Sequence, residues 1–253
     1  MTSPPEFLKN NLPTSSASIG RPHITLTWAQ SLDSKIAGPG GQRVILSGKE
    51  SMLMTHWMRS MHDAILIGVN TLILDDPRLQ ANLLPPSLNI PPPQPLILDP
   101  KLRFPVTARI LGEWNTKVSE RGRTVRQPWI ICGEDVSLKR KEQVEIAGGR
   151  VIPVPLDERG HISPSSLPSI ISNLGLKSVM IEGGSKVLST FLHCPKRHDG
   201  SNLVDSVVIT VAPMFIGDGI GVVPQGEDIG LPKLKYIHTE IMGKDAVMIC
   251  SKE

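Results

Sequence analysis

Short apolar runs recur along this chain, and segments with helical spacing lie between them. Runs of about four to eight residues that are rich in Val and Ile are typical of strands buried on both faces. Strands that alternate with helices predict an α/β fold, with a mostly parallel central sheet and helices on both faces. Strands are expected at 23–29, 64–69, 95–99, 129–132, 151–155, 178–182 and 205–212, with a C-terminal antiparallel hairpin at 236–242 and 246–250.

Helix signals occupy several of the intervals between these strands. Ser47 and Glu50 in the sequence SGKE match a capping box, which predicts a helix that begins there and continues through Arg59. Residues 101–127 are charged and weakly periodic, and we expect them to form a loop. Further helices are predicted at 136–147, at 163–174 and at 185–191.

Composition excludes several classes of protein. The chain has 253 residues, of which 40% are hydrophobic, so it can bury a full core. A net charge of +3 without a dense Lys/Arg block argues against a nucleic-acid partner. No apolar run is long enough to span a bilayer, and no secretory signal is seen, so we expect no membrane partner.

Cysteine usage and the N-terminal composition add two expectations. Cys132, Cys194 and Cys250 are far apart and form no Cys-x-x-Cys pair, so neither a disulfide framework nor a metal site is expected. We interpret them as reduced thiols of an intracellular, cytoplasmic protein. Residues 1–21 are rich in Ser, Pro and Asn and are predicted to be a mobile arm before a single domain at 22–253.

The first candidate for chemistry is the stretch 63–79, DAILIGVNTLILDDPRL. A short helix should follow its strand, with Asn70 or Thr71 as the cap and the Asp-Pro pair at 76–77 as the stop. Thr71 and Asp75 are four residues apart and would share one helical face. They would place a hydroxyl and a carboxylate at the carboxyl end of a strand, where open α/β sheets bind ligands. A capped helix with a solvated aspartate fits the same pattern.

The second candidate is the segment SVMIEGGSKV, which combines a strand, two glycines and a helix start. Backbone N–H groups at a helix N-terminus bind phosphate, and Gly183 and Gly184 would let a pyrophosphate lie against the backbone. Ser185 and Lys186 add a hydroxyl and a positive charge. Glu182 ends the apolar strand, either as an exposed carboxylate that caps backbone groups or as an acceptor for substrate amino groups.

The order of these blocks points to a known family. The chain carries, in sequence, TWAQSLDSKIAG, SGKES, DAILIGVNTLILDDPRL, LILD and SVMIEGGSKVLSTF. Together they resemble the riboflavin-pathway reductase family, and its free-standing fungal type in particular. The resemblance covers 22–250 and is most specific in GVNTLILDDPRL. It implies a dihydrofolate-reductase-like three-layer fold, a single reductase domain at 22–253 and a homodimer.

The resemblance also implies an activity. Members are NADPH-dependent oxidoreductases that reduce the ribosylamino side chain of a phosphorylated pyrimidine to a ribitylamino chain, by hydride transfer to C1′. This chemistry needs no covalent protein nucleophile. The protein would instead position the cofactor and the substrate and exclude water.

The family motifs imply a set of site residues. Thr71 and Asp75 match cofactor contacts, and Arg59 matches a substrate arginine whose guanidinium suits a sugar phosphate. Asp33 matches an aspartate expected to order its loop, with proton donation as the alternative, and Ser34 stands where the family usually has Gly. The implied cofactor set is Ala29, Val44, Thr71, Asp75, Gly183, Gly184, Ser185, Lys186 and Val187. The implied substrate set is Arg59, Leu79, Asn82 and Glu182.

Three alternatives compete with this interpretation. Larger bacterial relatives carry a zinc deaminase, whose combined His-x-Glu and Pro-Cys-x-x-Cys signature this chain lacks, so we expect reduction without deamination. A dihydrofolate-reductase-type pterin reductase would share NADPH and the fold, but Arg59 and Glu182 favour the phosphorylated pyrimidine. A non-catalytic NADPH-binding regulatory protein would bind the cofactor without oxidising it.

Overall fold

The structure is a computed structural model that describes residues 2–12, 21–117, 124–197, 199–223 and 232–253. Its strands are β1 (His23–Gln30), β2 (Lys35–Ala37), β3 (Ala64–Gly68), β4 (Gln94–Leu98), β5 (Trp129–Gly133), β6 (Arg150–Val154), β7 (Ser178–Gly183), β8 (Ser206–Val211), β9 (Ile220–Gly221), β10 (Leu234–Met242) and β11 (Asp245–Lys252). Its helices are α1 (Glu6–Asn11), α2 (Lys49–Ser60), α3 (Val69–Asp75), α4 (Arg109–Thr116), α5 (Leu138–Ile146), α6 (Leu167–Asn173) and α7 (Ser185–Leu192).

One nine-stranded sheet organises the molecule, in the order β10-β11-β8-β1-β7-β3-β4-β5-β6. Neighbours from β8 to β6 pair in parallel, whereas β11 runs antiparallel to β8 and forms the terminal hairpin with β10. Every strand expected from the apolar runs is present, with ends shifted by one or two residues. The predicted mostly parallel sheet with a C-terminal antiparallel hairpin is therefore confirmed.

Helices cover both faces of this sheet, because the central strands are apolar on both sides. In β3, Ala64 and Leu66 pack into a cluster with residues of α6 and α7. Ile65 and Ile67 point the other way, into a cluster with residues of α4 and α5. The alternation of side chains along a strand explains why AILIG is buried throughout and gives the three-layer arrangement.

The start of α2 differs from the prediction. The helix begins at Lys49 with Gly48 as its N-cap, and the predicted capping box of Ser47 and Glu50 is wrong. Oδ2 of Asp245 instead accepts hydrogen bonds from the Gly48 N–H (2.6 Å) and from the Ser51 hydroxyl. A buried carboxylate from the terminal hairpin therefore replaces the local cap, as a negative charge suits a helix N-terminus.

The predicted loop at 101–127 contains a helix, so that prediction is wrong for α4. Ala108 precedes this helix and has no side chain that could signal an N-cap. Ile110 and Leu111 bury its apolar side in the second cluster. Residues 118–123 lie outside the described residues.

The predicted mobile arm at 1–21 contains the short helix α1. Its Phe7 and Leu8 are buried in a cluster with Trp57 and Met58 of α2, so this part of the arm packs onto the domain. Residues 13–20 lie outside the described part of the chain. The division into an arm and a single domain at 22–253 stays a prediction.

Candidate functional site

Two turns meet where β3 and β7 end. These strands are neighbours, and Ile67 pairs with Gly183, so α3 and α7 begin side by side. A Cβ atom at Gly184 would lie 2.8 Å from Oγ1 of Thr71, and a Cβ atom at Gly68 would lie 2.8 Å from Cγ2 of Val187. The two segments singled out in the sequence are therefore in contact along one rim of the sheet.

The helix α3 carries its two polar residues as expected but begins differently. Gly68 is its N-cap, and no side chain among the described residues caps it, so the predicted caps Asn70 and Thr71 are wrong. Asn70 instead accepts a hydrogen bond from Arg103 Nη2 at 2.7 Å. Thr71 is half-buried and Asp75 is exposed, one turn apart on the same face. The helix ends at Asp75, before the Asp-Pro pair, as the sequence predicts.

The start of α7 fits the phosphates of a dinucleotide. The first N–H groups of a helix have no partner within it, and Ser185, Lys186 and Val187 supply them here. Gly183 has a φ of 125°, a backbone conformation that residues with a side chain rarely adopt. Its peptide bond to Gly184 is cis. A Cβ atom at Gly184 would fill the space beside Thr71. The residues present therefore form a cradle of backbone groups that suits the phosphates of a dinucleotide.

The family motifs imply cofactor contacts for two further residues, Ala29 and Val44. Ala29 lies near the carboxyl end of β1, and β1 is the neighbour of β7 on the side away from β3. The sheet thus brings Ala29 to the same rim as the two turns. Val44 is half-buried beside Gly38, in the segment between β2 and α2, and its part in the site stays a prediction.

Arg59 and Glu182, both assigned to the substrate, bind each other. Nε and Nη2 of Arg59 donate to the two carboxylate oxygens of Glu182, each at 2.6 Å. The side chains are only 15% and 16% exposed. Nη1 of Arg59 donates to the Gln80 carbonyl at 2.8 Å. These bonds take three of the five guanidinium donors within the described residues, which leaves one N–H on each Nη.

The segment after α3 is held by a residue that sequence reasoning missed. Oε1 of Glu113, on α4, accepts from Arg78 Nε at 2.9 Å, and Oε2 accepts from Gln80 Nε2 at 2.6 Å. Leu79, between them, is buried with a φ of 52°. Asn82 follows in the same segment and is half-buried. A signal existed, because Glu113 is three residues from Ile110 on an apolar helical face, where a carboxylate needs a partner.

Asp33 joins two loops at the same rim. Its Oδ1 accepts from the Ser31 hydroxyl at 2.5 Å and from the Ile216 N–H at 3.1 Å, and Oδ2 accepts from the Gly217 N–H at 2.7 Å. The Ser31 hydroxyl and these backbone donors lower the pKa of Asp33 to about 2. Ser34 has a φ of 61°, the left-handed region that the family's usual glycine would favour.

The described residues show few features of other kinds of site. No group of three or more His, Cys, Asp or Glu side chains in the described ranges could hold a metal ion. A His-x-Glu triplet does occur at 238–240, where His238 contacts Glu240 at 3.1 Å on β10. Over the same ranges, no helix is long and apolar enough to cross a membrane.

Comparison with known proteins identifies the family of this chain. The family model of the RibD C-terminal domain matches residues 22–248. The chain is 36% identical to the 2,5-diamino-6-ribosylamino-4(3H)-pyrimidinone 5′-phosphate reductase of Candida glabrata, over 98% of this chain and 96% of that one. It is 34% identical to the protein of the same name from Debaryomyces hansenii, over 91% and 90%.

A solved structure agrees as well. The Saccharomyces cerevisiae riboflavin biosynthesis reductase Rib7 superposes with a TM-score of 0.74 and 25% identity, covering 98% of this chain and 99% of that one. The resemblance to the riboflavin-pathway reductases is confirmed. The chain belongs to the RibD C-terminal domain family.

Proposed function

We propose that this protein catalyses the NADPH-dependent reduction of 2,5-diamino-6-ribosylamino-4(3H)-pyrimidinone 5′-phosphate, converting its ribosylamino side chain to a ribitylamino chain. The observation that carries the proposal is the adjacency of two different sites. Glu182, paired with Arg59, directly precedes the glycine turn that contacts Thr71. One rim of the sheet therefore offers a dinucleotide cradle beside a guanidinium–carboxylate pair, and relatives with 34% and 36% identity carry this substrate in their names.

The cofactor half of the site would be formed by α3 and α7. The N–H groups of Ser185 and Lys186 would hold the phosphates, with the Lys186 ammonium adding positive charge. Thr71 and Asp75 would hydrogen-bond the cofactor from the facing helix, and Ala29 would lie near its nicotinamide. When bound, NADPH supplies a hydride for C1′ of the opened sugar.

The substrate half would use Arg59 and Glu182 without breaking their pair. The two remaining N–H groups of Arg59, one on each Nη, suit a phosphate group that accepts two hydrogen bonds. Each oxygen of Glu182 keeps acceptor capacity for the amino groups of the pyrimidine. Leu79 and Asn82 would line the same side. Because the pair is already formed, the substrate would meet groups that need no reorientation.

Asp33 would act by holding loops rather than by donating a proton. With a pKa of about 2 it is ionised at neutral pH. Its hydrogen bonds tie the loop after β1 to the loop after β8, next to the expected nicotinamide position. Ordered loops there would help to exclude water from the reacting carbon.

An assay of the purified protein tests the proposal. NADPH absorbance should fall in the presence of the phosphorylated pyrimidine, and the product should be heavier than the substrate by two hydrogens. Parallel reactions with dihydrofolate and with NADH test the pterin and cofactor alternatives. Turnover of dihydrofolate alone would overturn the proposal, and NADPH binding without any turnover would favour the regulatory alternative.

A homodimer and a cytoplasmic location complete the proposal. Tyr236 and Ile241 of β10, an edge strand, are 62% and 65% exposed, which supports an interface on this side. Light scattering after size exclusion should give the mass of a dimer, and an active monomer would contradict it. The three cysteines are free and buried, which suits a reducing compartment.

A further inference from the structure

The carboxylate of Glu113 connects α4 to the substrate half of the site. Both of its oxygens are used, because Arg78 Nε donates to Oε1 and Gln80 Nε2 donates to Oε2. These two donors flank Leu79, whose backbone lies in the left-handed region. A single buried carboxylate therefore clamps both sides of a turn that a leucine would not adopt readily by itself.

The clamp continues to Arg59 through the backbone of Gln80. The carbonyl of Gln80 accepts from Arg59 Nη1 at 2.8 Å, while the Gln80 side chain is held by Glu113. Arg59 is then held on its other side by Glu182. The contacts run without a gap from α4, through the segment 78–80, to the guanidinium. Movement of Gln80 would change the direction in which the two remaining N–H groups of Arg59 point.

We propose that Glu113 is a positioning residue for the substrate, which fixes the Arg78–Gln80 segment so that the Gln80 carbonyl orients the Arg59 guanidinium. The inference rests on the proposed function, since it takes Arg59 as the substrate's phosphate ligand. Glu113 itself touches neither ligand in this scheme. Its removal should weaken substrate binding and leave the cofactor cradle, which is built from α3 and α7, unchanged.

The variant Glu113→Gln tests this with little change of shape. Its amide nitrogen would face Gln80 Nε2 as a donor against a donor unless the Gln80 side-chain amide turned over. In either arrangement Arg78 loses its charged acceptor, so the clamp is weakened. The KM for the pyrimidine should rise about tenfold, while kcat and the dissociation constant for NADPH change less than about twofold. The matched control is Glu142→Gln, an exposed glutamate on α5, which should leave all three values unchanged. Glu113→Asp, which keeps the charge, should recover part of the loss and serves if the glutamine variant folds poorly.

A second measurement follows the guanidinium directly. In the wild-type protein the Nε–H signal of Arg59, assigned by its loss in Arg59→Lys, should exchange slowly with solvent, and in Glu113→Gln it should exchange faster. The positioning role would be overturned if Glu113→Gln weakened substrate binding and NADPH binding equally. It would also be overturned if the KM stayed unchanged, or if the exchange rate of the Arg59 Nε–H stayed unchanged. If wild-type protein does not reduce the pyrimidine, the proposed function fails, and the exchange measurement still decides whether Glu113 positions Arg59.

Discussion

The contact between the two turns can be tested by filling the space beside Gly68. In Gly68→Ala the new Cβ would stand 2.8 Å from Cγ2 of Val187. Carbon atoms pack best at about 3.5–4.0 Å, so the atoms must separate by about 0.7–1.2 Å. Val187 is β-branched and has few rotamers with which to move aside. Overpacking of this kind costs about 1–3 kcal/mol.

Thermal unfolding of the cofactor-free protein measures this cost. At about 2–4 °C per kcal/mol for a chain of this size, Gly68→Ala should lower Tm by about 2–12 °C. NADPH binding should weaken as well, because relief of the contact displaces the start of α7. Gly112→Ala is the matched control, since a Cβ atom there meets nothing within 4 Å, and helix propensity favours alanine.

A second substitution, Val187→Ala, shows whether the contact with Val187 causes the loss of stability. In a Val187→Ala background the clashing methyl is gone, so Gly68→Ala should cost less than about 0.5 kcal/mol there. An equal loss of Tm from Gly68→Ala in both backgrounds would refute the reasoning, because the two turns would then not touch. It would also remove the geometric basis of the proposed cofactor cradle.

Three other predictions concern titration and capping. The pKa of Asp33 is about 2 against an ordinary 3.8, so the stability that its ionised form contributes should be lost as pH falls from about 4 toward 2. In Asp33→Asn the free energy of unfolding should not show this loss over the same pH range. Burial lowers the pKa of His62 from 6.5 to about 4, so stability should fall by about 2 kcal/mol between pH 7 and pH 5, and an imidazole NMR titration with a midpoint near 6.5 would contradict this. Asp245→Ala should lower the free energy of unfolding in urea by about 1–2 kcal/mol, because α2 loses its cap, whereas Ser47→Ala should lower it by less than about 0.5 kcal/mol. Equal losses in the two variants would indicate that Ser47 caps α2 after all.

The sheet was predictable because its signal is local. A strand buried on both faces must be apolar at every position, so AILIG in β3 and VMI in β7 could be recognised without knowing their neighbours. The two chemical turns were predictable for a related reason. Each directly follows such a strand, and parallel strands bring their carboxyl ends to one rim.

Features that depend on distant partners were not predictable. Glu182 is 123 residues from Arg59, and no local pattern indicates that the two bind each other. The capping box at Ser47 is a valid local signal, but a carboxylate 197 residues from Gly48 supplies the cap instead. The helix α4 was not predicted because Ala108 gives no N-cap signal. The spacing of Glu113 from Ile110 indicates a partner for the carboxylate, but only the structure identifies the partners as Arg78 and Gln80.

The position of β1 has a consequence for biosynthesis. This first strand of the sheet lies between β8, which begins about 175 residues after β1 ends, and β7, which begins about 150 residues after β1 ends. At about 5–20 residues per second, the ribosome needs about 8–30 s to make that interval. During this time the strand β1 has no hydrogen-bonded neighbour strand on either side, because β7 and β8 have not yet been made. Completion of the central sheet is thus a late event, after most of the chain has been translated, and chaperones that shield extended apolar segments would have their main opportunity before β7 emerges.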